Sequence, residues 1–70
     1  MEIYNKSQEP CDVNVGDWIR FRSDTEEKVA KVVEIHEAFR AMIIQIEIDS
    51  ELHEQAITFN QFLDKENETN

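Results

Sequence analysis

The sequence predicts a mainly β domain of four or five short antiparallel strands. Two segments carry this prediction, "KVAKVVEIH" (28–36) and "RAMIIQIEI" (40–48), because both are rich in β-branched residues and alternate apolar with polar positions. Alternation with a period of two is typical of a strand that buries one face. A chain of 70 residues has room for one such domain and not for a second.

The first part of the chain predicts an arm followed by a strand. Residues 1–14 mix polar residues with Pro10 and indicate an irregular N-terminal arm, with a short extended piece at "EIY". The compact domain is expected over 15–63. It opens with "VGDWIRFR", in which a turn at Gly16-Asp17 precedes a strand of interleaved apolar residues and arginines. The polar "SDTEE" then predicts a loop.

The remaining elements follow the same logic. We expect 28–36 and 40–48 to form a hairpin around Glu37-Ala38, "DSELHE" to be a polar connection, and "QAITF" (55–59) to be a fourth strand. "NQFL" predicts a short turn that tucks Phe62 and Leu63 under the sheet. Residues 64–70 are charged and lack apolar side chains, which predicts a disordered acidic tail.

An α+β alternative stays open for the middle of the chain. "SDTEEKVAKVVEIHEAFRAM" also fits a helix over about 24–40, with Ser23 or Asp24 as a possible cap and a glutamate three residues later. Its apolar residues fall near helical spacing as well. The abundance of valine, isoleucine and phenylalanine favours strands.

The succession "VGDWIRFR", "AKVVEI", "AMIIQIEI", "AITFNQFL" resembles the strand order of small SH3-like barrels of the KOW and Tudor kind. The resemblance covers about residues 15–63, and Gly16-Asp17 is its one motif-like element. It implies a four- to five-stranded antiparallel barrel.

The predicted hairpin separates two faces. Pairing Ile35 with Arg40 would put a core face on one side, made of Val29, Val33, Ile35, Met42, Ile44, Ile46 and Ile48. The opposite face would still be half apolar, and exposed apolar patches usually mark contacts. Either the N-terminal arm or a second copy would cover this face, and we expect a homodimer with twofold symmetry whose interface contains Val32, Phe39, Ala41 and Ile43.

The charge of the chain excludes whole classes of partner. Sixteen Asp and Glu against seven Lys and Arg give a net charge of −9, and residues 24–70 alone hold twelve acids and four bases, hence −8. From Ala41 to Asp64 there are five acids and no Lys or Arg. Such a chain is repelled by nucleic acids and anionic membranes but attracted to a basic protein surface.

The acidic residues supply the candidate binding site. Side chains two apart on a strand lie roughly 6.8 Å from one another, so Glu47, Asp49 and, if the strand continues, Glu51 would form a row with a spacing like that of DNA phosphates. We expect this row to be part of a larger partner-binding set, which consists of Asp24, Glu26, Glu27, Glu34, Glu37, Glu47, Asp49, Glu51 and Glu54.

In size and charge the chain resembles the small acidic host-takeover proteins of bacteriophages, in particular the DNA mimics of SPO1-like Bacillus phages that inhibit the nucleoid protein HU. The resemblance implies a non-enzymatic inhibitor that binds a basic, HU-like DNA-binding protein and blocks its DNA site. It also implies a location at the nucleoid of a bacterial host cell.

No catalytic, metal or cofactor motif is present in the sequence. One glycine excludes most nucleotide-cradling loops, and His36 and His53 have no fixed ligand spacing with the nearby glutamates. We expect no enzymatic activity, no cofactor and no metal. The lone Cys11 and the absence of an export signal predict a cytoplasmic protein.

The alternative function is that of an SH3-like adaptor. It would bind a peptide or a protein complex through an apolar surface formed by Trp18, Phe39 and Ile43, and the acidic residues would then serve only solubility.

Overall fold

The computed structural model describes residues 1–66 and is mainly β, as the sequence predicts. Its strands are β1 (Glu2–Tyr4), β2 (Pro10–Asp12), β3 (Trp18–Ser23), β4 (Glu26–His36), β5 (Ala41–Ile48), β6 (Glu51–Thr58) and β7 (Phe62–Lys65). Two 3₁₀ turns follow β4 and β6, at Glu37–Phe39 and Phe59–Gln61. The α+β alternative is wrong, because the segment that also fitted a helix over about 24–40 forms strand β4 and the 3₁₀ turn after it, and no α-helix occurs within 1–66.

Five strands form one antiparallel sheet in the order β6-β5-β4-β3-β7. Strands β3 to β6 follow one another as a meander, and β7 returns to pair with β3 after the second 3₁₀ turn. Strands β6 and β7 therefore lie at the two edges. The arrangement is compatible with a small barrel-like fold, and β1 and β2 form a separate two-stranded hairpin.

A β-bulge at Val33 decides which side of β4 faces the core. Val32 pairs with Ile44 but Glu34 pairs with Ile43, so Val33 is an extra residue in the ladder. The prediction that Val29 and Val33 belong to the core is therefore wrong, and Ala30 and Val32 are buried instead. Val32 is fully buried within the monomer, so its assignment to a dimer interface is also wrong.

The length of the β4–β5 loop explains why the predicted pairing of Ile35 with Arg40 is wrong. Ile35 pairs with Met42, not with Arg40, because the β4–β5 loop takes up four residues and ends at Arg40 in the left-handed conformation. Met42, Ile44 and Ile46 are buried as predicted. Ile48 lies beyond the core near the β5–β6 turn, and it is 44% exposed.

The predicted N-terminal arm is an ordered hairpin. Ile3 and Val13 are buried in the same core cluster as Ile19 and Phe21 of β3. The amide side chain of Asn5, which is itself buried, accepts hydrogen bonds from the main-chain N–H groups of Ser7 and Glu9 at 2.9 Å each. These local bonds close the β1–β2 loop, and they explain why a polar segment with Pro10 is not irregular.

The same loop covers the edge of the sheet at β7. The Asn5 side chain donates to the main-chain oxygen of Leu63 at 2.7 Å, and the main-chain N–H of Lys6 donates to the oxygen of Phe62 at 2.8 Å. Phe62 is fully buried, as predicted, but Phe62 and Leu63 belong to strand β7 and not to a turn beneath the sheet, and Leu63 is half-buried. The β7 edge is thus occupied by the protein's own N-terminal hairpin.

The compact domain extends beyond residue 63. Asp64 and Lys65 belong to β7, so the prediction that a disordered tail begins at residue 64 is wrong for these two residues. The last part of the predicted tail, residues 67–70, lies outside the described residues. Two nitrogens of Arg20 donate to the two carboxylate oxygens of Asp64 at 2.9 Å each. This two-pronged hydrogen bonding lowers the pKa of the Asp64 carboxyl.

Replacing Arg20 with alanine is expected to raise the pKa of Asp64, measured by NMR titration of its carboxyl carbon. Because this pKa is lower in the folded than in the unfolded chain, the Arg20 contribution to stability is present above about pH 4 and disappears as the pH falls through the folded-state pKa. The difference in unfolding free energy between wild type and variant should therefore shrink on acidification. Arg22→Ala is the control and should leave the titration of Asp64 unchanged.

Candidate functional site

The most acidic part of the molecule is the hairpin formed by β5 and β6. Its ladder runs from the pair Ala41–Thr58 to the pair Ile48–Glu51, and we call the part over residues 43–56 the acidic hairpin. Asp49 and Ser50 form its two-residue turn, with φ values of 52° and 68°. Two successive residues with positive φ match the twist of the flanking strands, and aspartate tolerates this conformation better than most residues.

The turn breaks the predicted row of carboxylates. Strand β5 ends at Ile48, and the chain reverses at Asp49, so Glu51 lies on the neighbouring strand. Glu47 pairs with Leu52 on the outer face of the sheet, whereas Glu51 pairs with Ile48 on the opposite face. The prediction that Glu47, Asp49 and Glu51 form one row is therefore wrong.

The acidic residues instead surround the end of the hairpin. Glu54 pairs with Gln45, which places it diagonally across from Glu47 on the outer face, about 7–8 Å away. Glu51 lies on the other face and Asp49 at the turn. All four are exposed. Carboxylates therefore project from both faces and from the tip.

These four carboxylates have almost no compensating charge. The acidic hairpin contains no Lys or Arg, and within 1–66 no Lys or Arg forms an ion pair with any of the four. His53 lies 3.6 Å from Glu51 and is the one basic group in contact. Lys31 lies in the same cross-strand row as Glu54 but is separated from it by Gln45. The hairpin therefore carries a charge of −4 with His53 neutral.

The β3–β4 turn, which contains the first group of predicted acidic site residues, differs from the acidic hairpin in its net charge. Asp24, Glu26 and Glu27 lie at the β3–β4 turn, where Glu27 contacts Arg20 at 3.5 Å and Arg22 at 3.4 Å. Lys28 lies 4.0 Å from Glu26. Residues 20–28 hold three acids and three bases, so their net charge is zero. The sequence prediction grouped this loop with the hairpin, but its charge is neutralised locally.

The last two predicted site residues lie away from the hairpin tip. Glu34 is on the outer face opposite Ile43, and its carboxylate is 2.7 Å from the ring of His36. Glu37 is in the β4–β5 loop, at the end of the meander opposite to both acidic turns. The nine acids thus divide into four on the hairpin, three in the neutralised β3–β4 turn and two elsewhere.

The outer face also carries exposed apolar side chains. Trp18 of β3 is 42% exposed and Leu52 of β6 is 66% exposed, and Ile43 of β5 is half-buried between their strands. Ala41 is half-buried on the same face. With Val32 removed from the set, Phe39, Ala41 and Ile43 remain as the predicted dimer contacts, and the dimer itself stays a prediction.

A shallow groove lies at the end of the molecule opposite the acidic tip. It has a volume of about 430 Å³ and is lined by Tyr4, Gln8, Phe39, Arg40, Thr58, Phe59 and Asn60. Phe39 is 79% exposed beside it. The sequence did not indicate this groove, because one of its walls is the N-terminal hairpin that was expected to be irregular.

No group of His, Cys, Asp and Glu within 1–66 is arranged to hold a metal ion. Burial raises the pKa of the Cys11 thiol, which disfavours the reactive thiolate at neutral pH. In the same part of the chain, no helix is long and apolar enough to span a membrane.

Comparisons of the chain with protein-family models, with characterised proteins and with solved structures give no match.

Proposed function

We propose that the protein is a non-enzymatic inhibitor that binds a basic, HU-like DNA-binding protein and blocks its DNA site by presenting phosphate-like negative charge. The acidic hairpin is the binding element. The observation that supports this proposal is the uncompensated charge of −4 on residues 43–56, carried by four exposed carboxylates at the end of one β-hairpin. The inhibitor acts at the nucleoid in the cytoplasm of a bacterial host cell.

Charge complementarity gives this mode of binding recognisable properties. A DNA-binding groove is lined with lysine and arginine, and a concentrated carboxylate cluster attracts it over a distance of about 10 Å at moderate salt. Association is expected to be fast and to weaken steeply with added salt. DNA and the protein then compete for the same cationic surface.

The decisive variant neutralises the acidic hairpin through Glu47→Gln, Asp49→Asn, Glu51→Gln and Glu54→Gln. It retains the shape of each side chain, and asparagine suits the left-handed conformation at position 49. We expect its affinity for purified HU to fall by about a hundredfold at moderate salt, as the loss of roughly 0.7 kcal/mol per charge implies. Isothermal titration calorimetry measures the affinity, and a DNA-displacement assay measures the inhibition.

The matched control removes the same number of charges elsewhere, through Asp24→Asn, Glu26→Gln, Glu27→Gln and Glu37→Gln. It changes the net charge equally, so we expect it to weaken binding by about tenfold or less through the long-range field alone. Equal losses in the two variants would contradict a binding role of the hairpin. Full affinity in both, with no dependence on salt, would contradict the inhibitor proposal.

A second candidate function is an adaptor that binds through apolar residues. The observation that favours it is the exposure of Trp18 together with half-buried Ile43 on the outer face, and of Phe39 beside the groove. Its partner would be retained at high salt, and neutralisation of the acidic hairpin would leave that binding unchanged.

A further inference from the structure

Strand β6 is an open edge of the five-stranded sheet. It pairs with β5 on one side and with no strand of the described residues on the other. Six of its first seven residues are exposed, and only Ile57 is buried. Strand β6 contains no proline, no lysine and no bulge, and the charged side chains that protect this edge, Glu51 and Glu54, are both acidic.

The phase of the ladder identifies the main-chain groups that point outward. In a hairpin with a two-residue turn, the closing pair Ile48–Glu51 exchanges hydrogen bonds, so alternate residues of β6 from Glu51 onward face β5. The bond from the N–H of Phe59 to the oxygen of Arg40 continues this phase. The N–H of Thr58 belongs to the alternate set of residues, whose main-chain groups point away from β5. It donates a hydrogen bond to the side-chain oxygen of Gln61 at 3.0 Å.

The N–H and C=O groups of Leu52, Glu54 and Ala56 therefore point away from the sheet. The opposite edge, at β7, differs in this respect because the Asn5–Lys6 loop binds the main chain of Phe62 and Leu63. One edge is thus covered by the protein itself, while the other presents a three-residue set of donors and acceptors spaced for an incoming strand.

We propose that the β6 edge takes up an extended segment rich in lysine and arginine as an additional strand, a proposal that rests on the proposed function because the segment belongs to the basic partner. Charge complementarity selects this occupant. Its side chains would lie next to Glu54 on the outer face and next to Glu51 on the other face. Leu52 and Ala56 flank Glu54 and provide apolar contact for the stems of the basic side chains.

A second copy of the chain fits this edge poorly. Antiparallel pairing about a twofold axis centred on the open groups places Glu54 directly opposite Glu54 of the other copy, and like charges in that position are destabilising. Each copy also carries a net charge of −9. The edge therefore favours a basic strand over self-association.

The test uses a short synthetic peptide of alternating lysine and valine, titrated into the isotopically labelled protein. We expect the amide signals of Leu52, Glu54 and Ala56 to shift and their hydrogen exchange to slow. The variant Ala56→Pro removes an outward N–H without changing the charge or the β5 ladder, and edge strands tolerate such a proline. Its affinity for the peptide should be about tenfold lower, whereas Ala56→Ser should bind within about twofold of wild type.

A peptide methylated at alternate main-chain nitrogens tests the same hydrogen bonds if Ala56→Pro does not fold, and it too should bind about tenfold more weakly. Equal binding of the two peptides, or shifts confined to other residues, would overturn strand addition. If the three amides exchanged slowly even without peptide, and if their protection increased with protein concentration, a second copy of the chain would occupy the edge. That result would overturn the proposal.

The two proposals can fail separately. Loss of HU binding on neutralising the hairpin, with no peptide response at the β6 edge, would leave the inhibitor intact and remove strand addition. A peptide response at the β6 edge, with HU binding unaffected by neutralisation of the acidic hairpin, would support strand addition and remove the inhibitor proposal.

Discussion

Replacing Phe62 with alanine is expected to lower the free energy of unfolding by about 3–5 kcal/mol, which is the usual cost of deleting a buried aromatic ring. Phe62 is fully buried and pairs with Phe21 across β3 and β7. The whole domain is expected to have only about 4–10 kcal/mol of stability, because its 70 residues each contribute roughly 0.05–0.15 kcal/mol. Urea denaturation followed by circular dichroism measures the change.

Phe39→Ala is the matched control for this experiment, because it deletes the same ring from a side chain that is 79% exposed. Its effect on stability should stay within about 0.5 kcal/mol. Similar losses in the two variants would mean that Phe62 does not hold β7 against the core.

Replacing Asn5 with alanine has the second largest expected effect, a loss of about 2–3 kcal/mol in unfolding free energy. The change leaves the N–H groups of Ser7 and Glu9 and the oxygen of Leu63 without their partner. It acts on the β1–β2 loop and on its attachment to β7 together. Hydrogen exchange should show faster opening of the N-terminal hairpin than of β4 and β5.

Asn5→Asp separates the two roles of this side chain, because the carboxylate still accepts from Ser7 and Glu9 but cannot donate to Leu63. Because the buried carboxylate would face the oxygens of Leu63 and Glu9, we expect a loss at least as large as in Asn5→Ala. Asn60→Ala, at an exposed asparagine in the second 3₁₀ turn, is the control and should be close to neutral. If Asn5→Ala were equally neutral, the loop would not depend on the buried amide.

The class of fold follows from the sequence because alternation of apolar residues is a local property. It identifies β3, β4 and β5 and the burial of Met42, Ile44 and Ile46. It fails at Val33, since a bulge depends on how two strands meet and leaves no mark in either strand alone. It also fails for the first half of β6, where Glu51, His53 and Glu54 make a paired strand look like a polar connection.

The candidate site was predictable in composition but not in geometry. A base-free stretch is visible in the sequence, so the acidity of the hairpin could be inferred. The reversal at Asp49 separates Glu47 from Glu51. The sequence predicts a connection that begins at Asp49, but not that it is only two residues long, because neither turn residue is glycine. The neutralisation of Glu27 by Arg20 and Arg22 depends on the pairing of β3 with β4.

The extra residue at Val33 has a consequence for how this small molecule can evolve. Before the bulge β4 pairs with β3, after it β4 pairs with β5, and the two ladders overlap around Lys31 and Val32. Changes in the length or sequence of the β3–β4 turn therefore need not disturb the strand register that carries the carboxylates. Variation at the β3–β4 turn is therefore expected to leave the β5–β6 register unchanged, although the two hairpins share strand β4 and one hydrophobic core.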